Sequence, residues 1–273
     1  MPEGHTLHRL AAEHTALLGG SPVRTSSPQG RFAGGAARLY GAAFRSADAH
    51  GKHLFHGYED PAGEPLWLHV HLGLYGSFST GEGVAPPPTG QIRLRWEFDH
   101  GHVDLRGPTA CELITAAEQA ALHARLGADP LREDADVARA GRRILASRAP
   151  IGQLLLDQSV IAGVGVAYRA EVLFRLGIDP LRPGRSLDEA TWRAIWEDLV
   201  SLMTDGVKLG RIDTVRPEHL PEAMGREPRQ DRHGGEVYVY RRTGQPCLRC
   251  GTPVAKSVLA ARNLYRCPRC QRT

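Results

Sequence analysis

From Val237 to Thr273 the sequence contains no aspartate or glutamate, although it contains eight lysines or arginines. The other 236 residues hold the remaining 26 basic side chains against all 30 acidic ones, so they carry −4 while the whole chain carries +4. A positive excess confined to one segment predicts an element that binds a polyanion. A solvated basic tail is the plainer reading of charge alone. Long apolar runs are also missing, and none approaches the length of a membrane span, which argues against a membrane partner. Glu3, Arg9 and Glu13 interrupt the first twenty residues, leaving no apolar core for a secretory signal; the expected location is cytoplasmic. A hydrophobic fraction of 41% with 23% charged residues is that of a soluble globular protein, and 273 residues suffice for two domains with their own cores.

Cysteine is scarce, and its distribution is informative. Of five cysteines, four lie in the acid-free tail as two CxxC pairs, Cys247 with Cys250 and Cys267 with Cys270. Two such pairs match a four-thiolate zinc ribbon holding one structural Zn²⁺, with each pair on a tight turn and two strands between. Disulfides are the competing reading and suit an exported chain better. So small a ribbon buries little, so the metal supplies most of its folding energy. Cys111, outside the tail, reads as a buried apolar filler.

Residues 3–18 carry Leu7, Leu10, Ala11, His14 and Leu18 at helical spacing and stop at Gly19-Gly20. LWLHVHL (66–72) and IRLRWEF (92–98) alternate as half-buried strands, the first placing His69 and His71 on one face. APPPTG (85–90) is a stiff connection. After GADPLRED (127–134) the pattern turns helical. Residues 151–174 read as two helices around Ala162-Gly163-Val164-Gly165, a turn whose following helix N-terminus offers amides to a phosphate. An ordinary helical hairpin is the plainer alternative. Residues 186–203 read as a helix opened by a Ser186/Glu189 capping box, with Ile195, Trp196, Leu199, Leu202 and Met203 on one face. GREPRQDRHGGE (225–236) is a polar, flexible loop. The expected division is a strand-rich domain over 1–126, a helical domain over 127–235 and a zinc finger over 236–273.

The opening MPEGHT admits two readings. Proline at a first helical position with an acid beside it is an ordinary helix start. Loss of Met1 would instead leave Pro2 with a free secondary amine. Together with GKHLF around Lys52, HLGLYG at 71–76, LLLDQSVIAGVG at 154–165 and the paired CxxC with Arg262 five residues before Cys267, this opening resembles the formamidopyrimidine-DNA glycosylase and endonuclease VIII family of base-excision repair enzymes, nearer to the endonuclease VIII branch. The similarity spans essentially the whole chain.

The resemblance implies an α+β protein of two domains. These are an N-terminal β-sandwich with flanking helices and a helix–two-turn–helix domain carrying the zinc finger, with damaged DNA held between the halves by a monomer. It implies a glycosylase with β/δ-eliminating lyase activity, in which Pro2 is the nucleophile, Glu3 the acid, and Lys52 contacts phosphate beside the lesion. Arg262 grips phosphates from the finger tip. Leu74 and Tyr75 resemble wedge residues of the endonuclease VIII branch, and Arg106 faces the orphaned base as in the formamidopyrimidine branch. His71 either contacts phosphate or is a strand histidine with a structural hydrogen bond. Gly165 opens the phosphate-binding helix, but Val166 stands where the family usually carries asparagine, and Ser77 where lysine is frequent in its closest relatives. A member with weakened or altered catalysis is therefore one alternative. A non-catalytic zinc-dependent DNA-binding protein is a second, and a metal-dependent nuclease a third.

Overall fold

The computed structural model describes residues 2–19, 22–231 and 235–272. Two compact units result, one made of the residues up to Glu3 with Leu7–Arg125, the other of Gly4–Thr6 with the residues from Leu126 onward.

Helix α1 (Gly4–Leu18) buries Leu7, Leu10, Ala11, His14 and Leu18, the stripe its periodicity predicts, and is closed by Gly19; Gly20 lies outside the described residues. In the first unit β1 (Arg24–Ser26) precedes α2 (Ala33–Leu39), followed by β2 (Ala43–His50), β3 (His53–Glu59), β4 (Pro65–His71), β5 (Ser77–Glu82), β6 (Ile92–Phe98), β7 (Gly101–Arg106), β8 (Ala110–Ile114) and α3 (Ala116–Arg125). The strands form two antiparallel four-stranded sheets, ordered β1-β6-β7-β5 and β2-β3-β4-β8. Leu94, Trp96, Val103 and Leu105 of one sheet share a core with Phe44, Leu54, Leu68 and Val70 of the other and with the α1 stripe. Trp96 Nε1 donates to Tyr58 Oη at 2.7 Å, tying the sheets through that core. Cys111 is buried in it, and burial pushes its thiol up to about 12, leaving it an inert filler.

Strict alternation fails in β6. Arg95, expected on the wet face, is buried, with a two-pronged ion pair to Asp104 at 2.7 and 2.9 Å and a bond from Nη1 to the Pro86 carbonyl. The proline-rich 85–90 connection therefore covers a buried ion pair. A buried charge is tolerated only when paired and hydrogen-bonded, as here.

The second unit contains α4 (Val137–Leu145), α5 (Ile151–Leu154), α6 (Val166–Arg175), α7 (Glu189–Leu209) and α8 (Pro221–Met224), then the finger hairpin β9 (Ala255–Leu259) and β10 (Arg262–Arg266). Two helix expectations need correction. The first helix expected over 151–174 is a single turn, because Asp157 and Gln158 bond the chain locally. Asp157 Oδ1 accepts from Ser159 N–H, and the Gln158 amide bonds the Leu156 and Val164 carbonyls and the Gly163 N–H. The capping box at Ser186 and Glu189 does not form. Asp188 caps α7 by accepting from Thr191 N–H at 2.7 Å, while Ser186 lies in a 3₁₀ turn and donates to the Pro183 carbonyl. Helix α7 also runs six residues beyond Met203 and ends at left-handed Gly210. Ile195, Leu199, Leu202 and Met203 are buried as expected, and Trp196 is half-buried against the same core.

The 225–236 loop was expected to be flexible, but its described part is tied down. Arg226 pairs with Glu236 at 2.6 Å and Arg229 with Asp231 at 2.7 Å, while Glu236 also accepts from Arg229 N–H. Residues 232–234 of that loop lie outside the described residues. Among the described residues no helix is long and apolar enough to cross a membrane.

Candidate functional site

The end of the first unit's sheets where β3 begins gathers five of the residues singled out in the sequence. His50 faces His53 across a tight turn formed by Gly51, at φ +61°, and Lys52. His53 in turn faces His71, the last residue of β4, whose carbonyl accepts from Thr109 N–H at 2.8 Å. The loop from Leu72 to Gly76, closed by a Gly76 N–H bond to the Leu72 carbonyl, carries Leu74 and Tyr75, which are 53% and 84% exposed. Ser77, beginning β5, faces Arg106 at the end of β7. Lys52, His71, Leu74, Tyr75 and Arg106 thus occupy one rim. Two large apolar side chains held out in water beside cations suit a surface that inserts into stacked bases.

Arg106 is tethered there. Nη1 donates to Ser79 Oγ at 2.7 Å and Nη2 to Asp104 Oδ2 at 2.9 Å. Burial alone would raise the Asp104 carboxyl, but Arg95 and Arg106 outweigh it and hold it below the usual carboxylate range.

At the N-terminus the ordinary helix-start reading does not hold. The first helical residue is Gly4, and Pro2 lies ahead of the cap. Glu3 occupies the cap position in an extended conformation and is 2% exposed, yet its side chain makes no capping hydrogen bond. Glu3 is thus a buried acid directly beside Pro2. Gly4 donates to the Gly163 carbonyl at 2.9 Å, and a Cβ at Gly4 would meet Gly163 Cα at 2.8 Å, so only glycine permits this approach. Met1 lies outside the described residues.

Gly165 is the extended N-cap of α6, with no side-chain cap, and Val166 is the first helical residue. Val166 is buried and packs with Ala170, Phe174 and Tyr238. Leu173, seven residues on from Val166, belongs instead to the core around Tyr168 and Leu199.

Two charged residues in this apolar helix were missed by pattern reading, although a lone arginine and a lone glutamate inside VAYRAEVLF are themselves the signal. Arg169 is fully buried and donates to the carbonyls of Gly152 and Asn263. Glu171, also fully buried, accepts four hydrogen bonds. Three come from the successive amides of Tyr238, Val239 and Tyr240 and one from Thr214 Oγ1, at 2.6–2.9 Å.

In the finger, the four sulfurs of Cys247, Cys250, Cys267 and Cys270 lie within 4.8 Å of one another. The Cys247–Cys270 and Cys250–Cys267 separations are 3.9 and 3.5 Å. A tetrahedral Zn²⁺ with Zn–S of about 2.3 Å needs sulfurs about 3.8 Å apart, so the donor set fits one structural zinc. Cys267 N–H is bonded by the buried Gln271 side chain, whose amide also reaches the Ile178 carbonyl. Between β9 and β10, Ala260 and Ala261 both adopt positive φ, +49° and +56°, and the next residue is the exposed Arg262.

Three family models match along the chain: the formamidopyrimidine-DNA glycosylase N-terminal domain over residues 1–110, its H2TH domain over 126–217, and a zinc finger found in FPG and IleRS over 244–273. Endonuclease 8 1 of Mycobacterium tuberculosis is 52% identical over 278 residues, covering 99% of this chain and 100% of that protein. A formamidopyrimidine-DNA glycosylase of Parasynechococcus marenigrum is 32% identical over 287 residues, covering 99% of each. Among solved structures, Lactococcus lactis Fpg (MutM) bound to DNA containing N7-benzyl-Fapy-dG has the same fold, with a TM-score of 0.80 at 23% identity and 100% coverage of both chains. On this whole-length similarity, the chain belongs to the formamidopyrimidine-DNA glycosylase and endonuclease VIII family, whose members are DNA glycosylases with associated abasic-site lyase activity.

Proposed function

We propose that the protein excises damaged bases from DNA and cleaves the resulting abasic site, with Pro2 as nucleophile once Met1 is removed. The observation that carries the reading is Glu3, a buried carboxylate directly beside Pro2 that does not cap its own helix. An α-amine has an ordinary pKa of about 7.7–8.0 against about 10.4 for lysine, so far more of it is unprotonated at neutral pH. Its lone pair attacks C1′ as Glu3 delivers a proton to the departing base or opening sugar. A proline adduct has no second N–H to lose and stays a cationic iminium. That cation draws electrons when a C2′ proton is removed and the 3′ phosphate leaves, and loss of the 5′ phosphate follows in the second elimination.

To expose C1′ the nucleotide leaves the stack. Leu74 and Tyr75 fill the vacancy, Arg106 faces the orphaned base, and Lys52, His71, Arg262 and the α6 start at Gly165 hold the phosphates. Val166 offers no side-chain donor, which predicts a working but weakened lyase. The domain division at 126 and 235, a monomeric state and a cytoplasmic location belong to the same proposal.

Borohydride reduction on an abasic-site oligonucleotide tests it. A covalent protein–DNA adduct should form and map to Pro2, and an N-terminally tagged protein should form none. An adduct on an internal lysine would overturn the assignment. Glu3→Gln should abolish removal of intact damaged bases while sparing some cleavage of preformed abasic sites. Trapping should also survive a chelator too weak to strip the finger, which separates this chemistry from that of a metal-dependent nuclease.

A further inference from the structure

The rim beside Lys52 carries more histidine than phosphate binding needs, and its hydrogen bonds are ordered. His69 Nδ1 lies 3.0 Å from Glu112 Oε1, and His69 Nε2 lies 2.8 Å from His53 Nδ1. The His53 ring stacks on His69 and stands edge-on to His71, with centroids 5.1 and 4.9 Å apart. His71 Nδ1 accepts from the Gly73 amide at 3.1 Å. Around the group stand His50 from β2, Lys52 from the turn, Glu112 from β8, and His123 and Arg125 from α3.

We propose that Glu112, acting through His69, and the Gly73 amide hold the imidazoles beside Lys52 in single neutral tautomers, so that His71 meets a DNA phosphate with an uncharged Nε2–H donor while Lys52 supplies the charge. The inference rests on the proposed DNA-binding role of this rim. The logic is one of donors and acceptors. A carboxylate only accepts, so His69 carries its proton on Nδ1. A neutral His69 then has a lone pair on Nε2, and His53 must donate to it from Nδ1, leaving His53 Nε2 an acceptor. On His71 the Gly73 N–H occupies the Nδ1 lone pair, so the single proton of a neutral ring sits on Nε2.

The surroundings of His53 and of His71 oppose a second proton on those two rings. Burial pulls His53 down to about 3, assisted by His69, His71, His50 and Arg125. Burial likewise lowers His71, assisted by His69 and Lys52. The one group favouring a proton on His71 is its own carbonyl, which already accepts from Thr109 N–H. Glu112 is thus a positioning residue.

Two measurements test this. In ¹⁵N-histidine-labelled protein at pH 8, long-range ¹H–¹⁵N spectra should show His53 and His69 as Nδ1–H and His71 as Nε2–H, with resonances assigned through His53→Gln, His69→Gln and His71→Gln. Glu112→Gln, at a site 57% exposed, should leave the fold intact and mix the His69 and His53 tautomers without altering His71. Predominant Nε2–H signals from His53 and His69 in the unmutated protein would overturn the chain. The second measurement is salt-dependent binding of a duplex containing a tetrahydrofuran abasic analogue. Lys52→Ala should flatten the log–log salt slope by about 0.9, the loss of one phosphate neutralisation. His71→Ala should weaken binding about 3- to 10-fold, equally at pH 6 and pH 8, with the slope unchanged. A flattened slope for His71→Ala would reveal an imidazolium and overturn the proposal. Failure to bind the duplex at all would overturn the function assigned to the rim, whereas the tautomers are read on the free protein and stand or fall by themselves.

Discussion

Arg169, in the middle of α6, hydrogen-bonds the main-chain carbonyl of Asn263, the residue that follows Arg262 in the finger hairpin. A buried guanidinium thereby fixes the strand that begins with the exposed DNA-binding candidate. Arginine serves the two carbonyls from two nitrogens of one rigid planar fork, a geometry the single ammonium nitrogen of lysine does not reproduce. Arg169→Lys should therefore leave one zinc per chain, lower the melting midpoint of its unit by several degrees, and weaken binding to an abasic-analogue duplex about tenfold. Metal analysis, calorimetry and fluorescence anisotropy check the three parts.

The Ala260-Ala261 corner is strained. Both residues sit at positive φ in a two-residue hairpin connection, a geometry that favours Asn-Gly, and each alanine costs about 1 kcal/mol there. Replacing Ala260 with asparagine and Ala261 with glycine together should stabilise the finger by about 1–2 kcal/mol, read as slower zinc loss to a chelator. DNA affinity should be kept, because Arg262 stays on the same hairpin.

Acid should loosen the first unit before its carboxylates titrate. His14 Nδ1 and His56 Nε2 lie 3.0 Å apart in the apolar core beside Trp96 and Phe44. Burial pulls His14 down to about 4, His56 well below 6.5, and His53 to about 3. The unfolded chain then binds more protons than the folded one below about pH 6.5, so this stability is complete above that pH and is lost as pH falls towards 4. His14 alone accounts for on the order of 3 kcal/mol across that window. Asp104, whose carboxyl is lowered, adds its loss only below its ordinary 3.8. Denaturant midpoints at pH 7.5, 5.5 and 4.5 should fall steadily, and His53→Gln should flatten part of the fall.

Val166→Asn should move activity and stability in opposite directions. The side chain would sit against Ala170, Phe174 and Tyr238, where an unpaired amide costs roughly 1–3 kcal/mol in the free protein. If the start of α6 holds a phosphate as proposed, the amide gains an acceptor when DNA binds. Cleavage of an abasic duplex should rise several-fold while the melting midpoint falls, as single-turnover kinetics and calorimetry would show.

Legibility in the sequence followed the range of the forces involved. The α1 stripe and the apolar face of β4 (Leu66, Leu68, Val70) were readable because burial follows a local period, and the cysteine spacing because zinc demands it; the opposite face of β4 was not, since His69 is buried as well. Arg95 was misread because its partner, Asp104, comes from the neighbouring strand. The Ser186 box failed because Asp188, two residues on, competes for the same amides. Gathering Lys52, His71, Leu74, Tyr75 and Arg106 on one rim needed strand registers that no local pattern contains. The residues could be singled out by resemblance, but their adjacency could not. Glu112 and Ser79 escaped notice because an exposed polar residue on a strand looks ordinary until its neighbour across the sheet is known.

Glu171 has a consequence for how the molecule opens. By accepting three successive amides, from Tyr238 to Tyr240, it binds the base of the finger to α6 with no contribution from the metal. Those amides can exchange with solvent only when α6 itself lets go. Zinc removal should therefore raise hydrogen–deuterium exchange from about Cys247 onward and leave residues 238–240 as slow as the helix. The finger would come loose as a flap hinged beyond Tyr240, and it would refold from that anchored stub when metal returned.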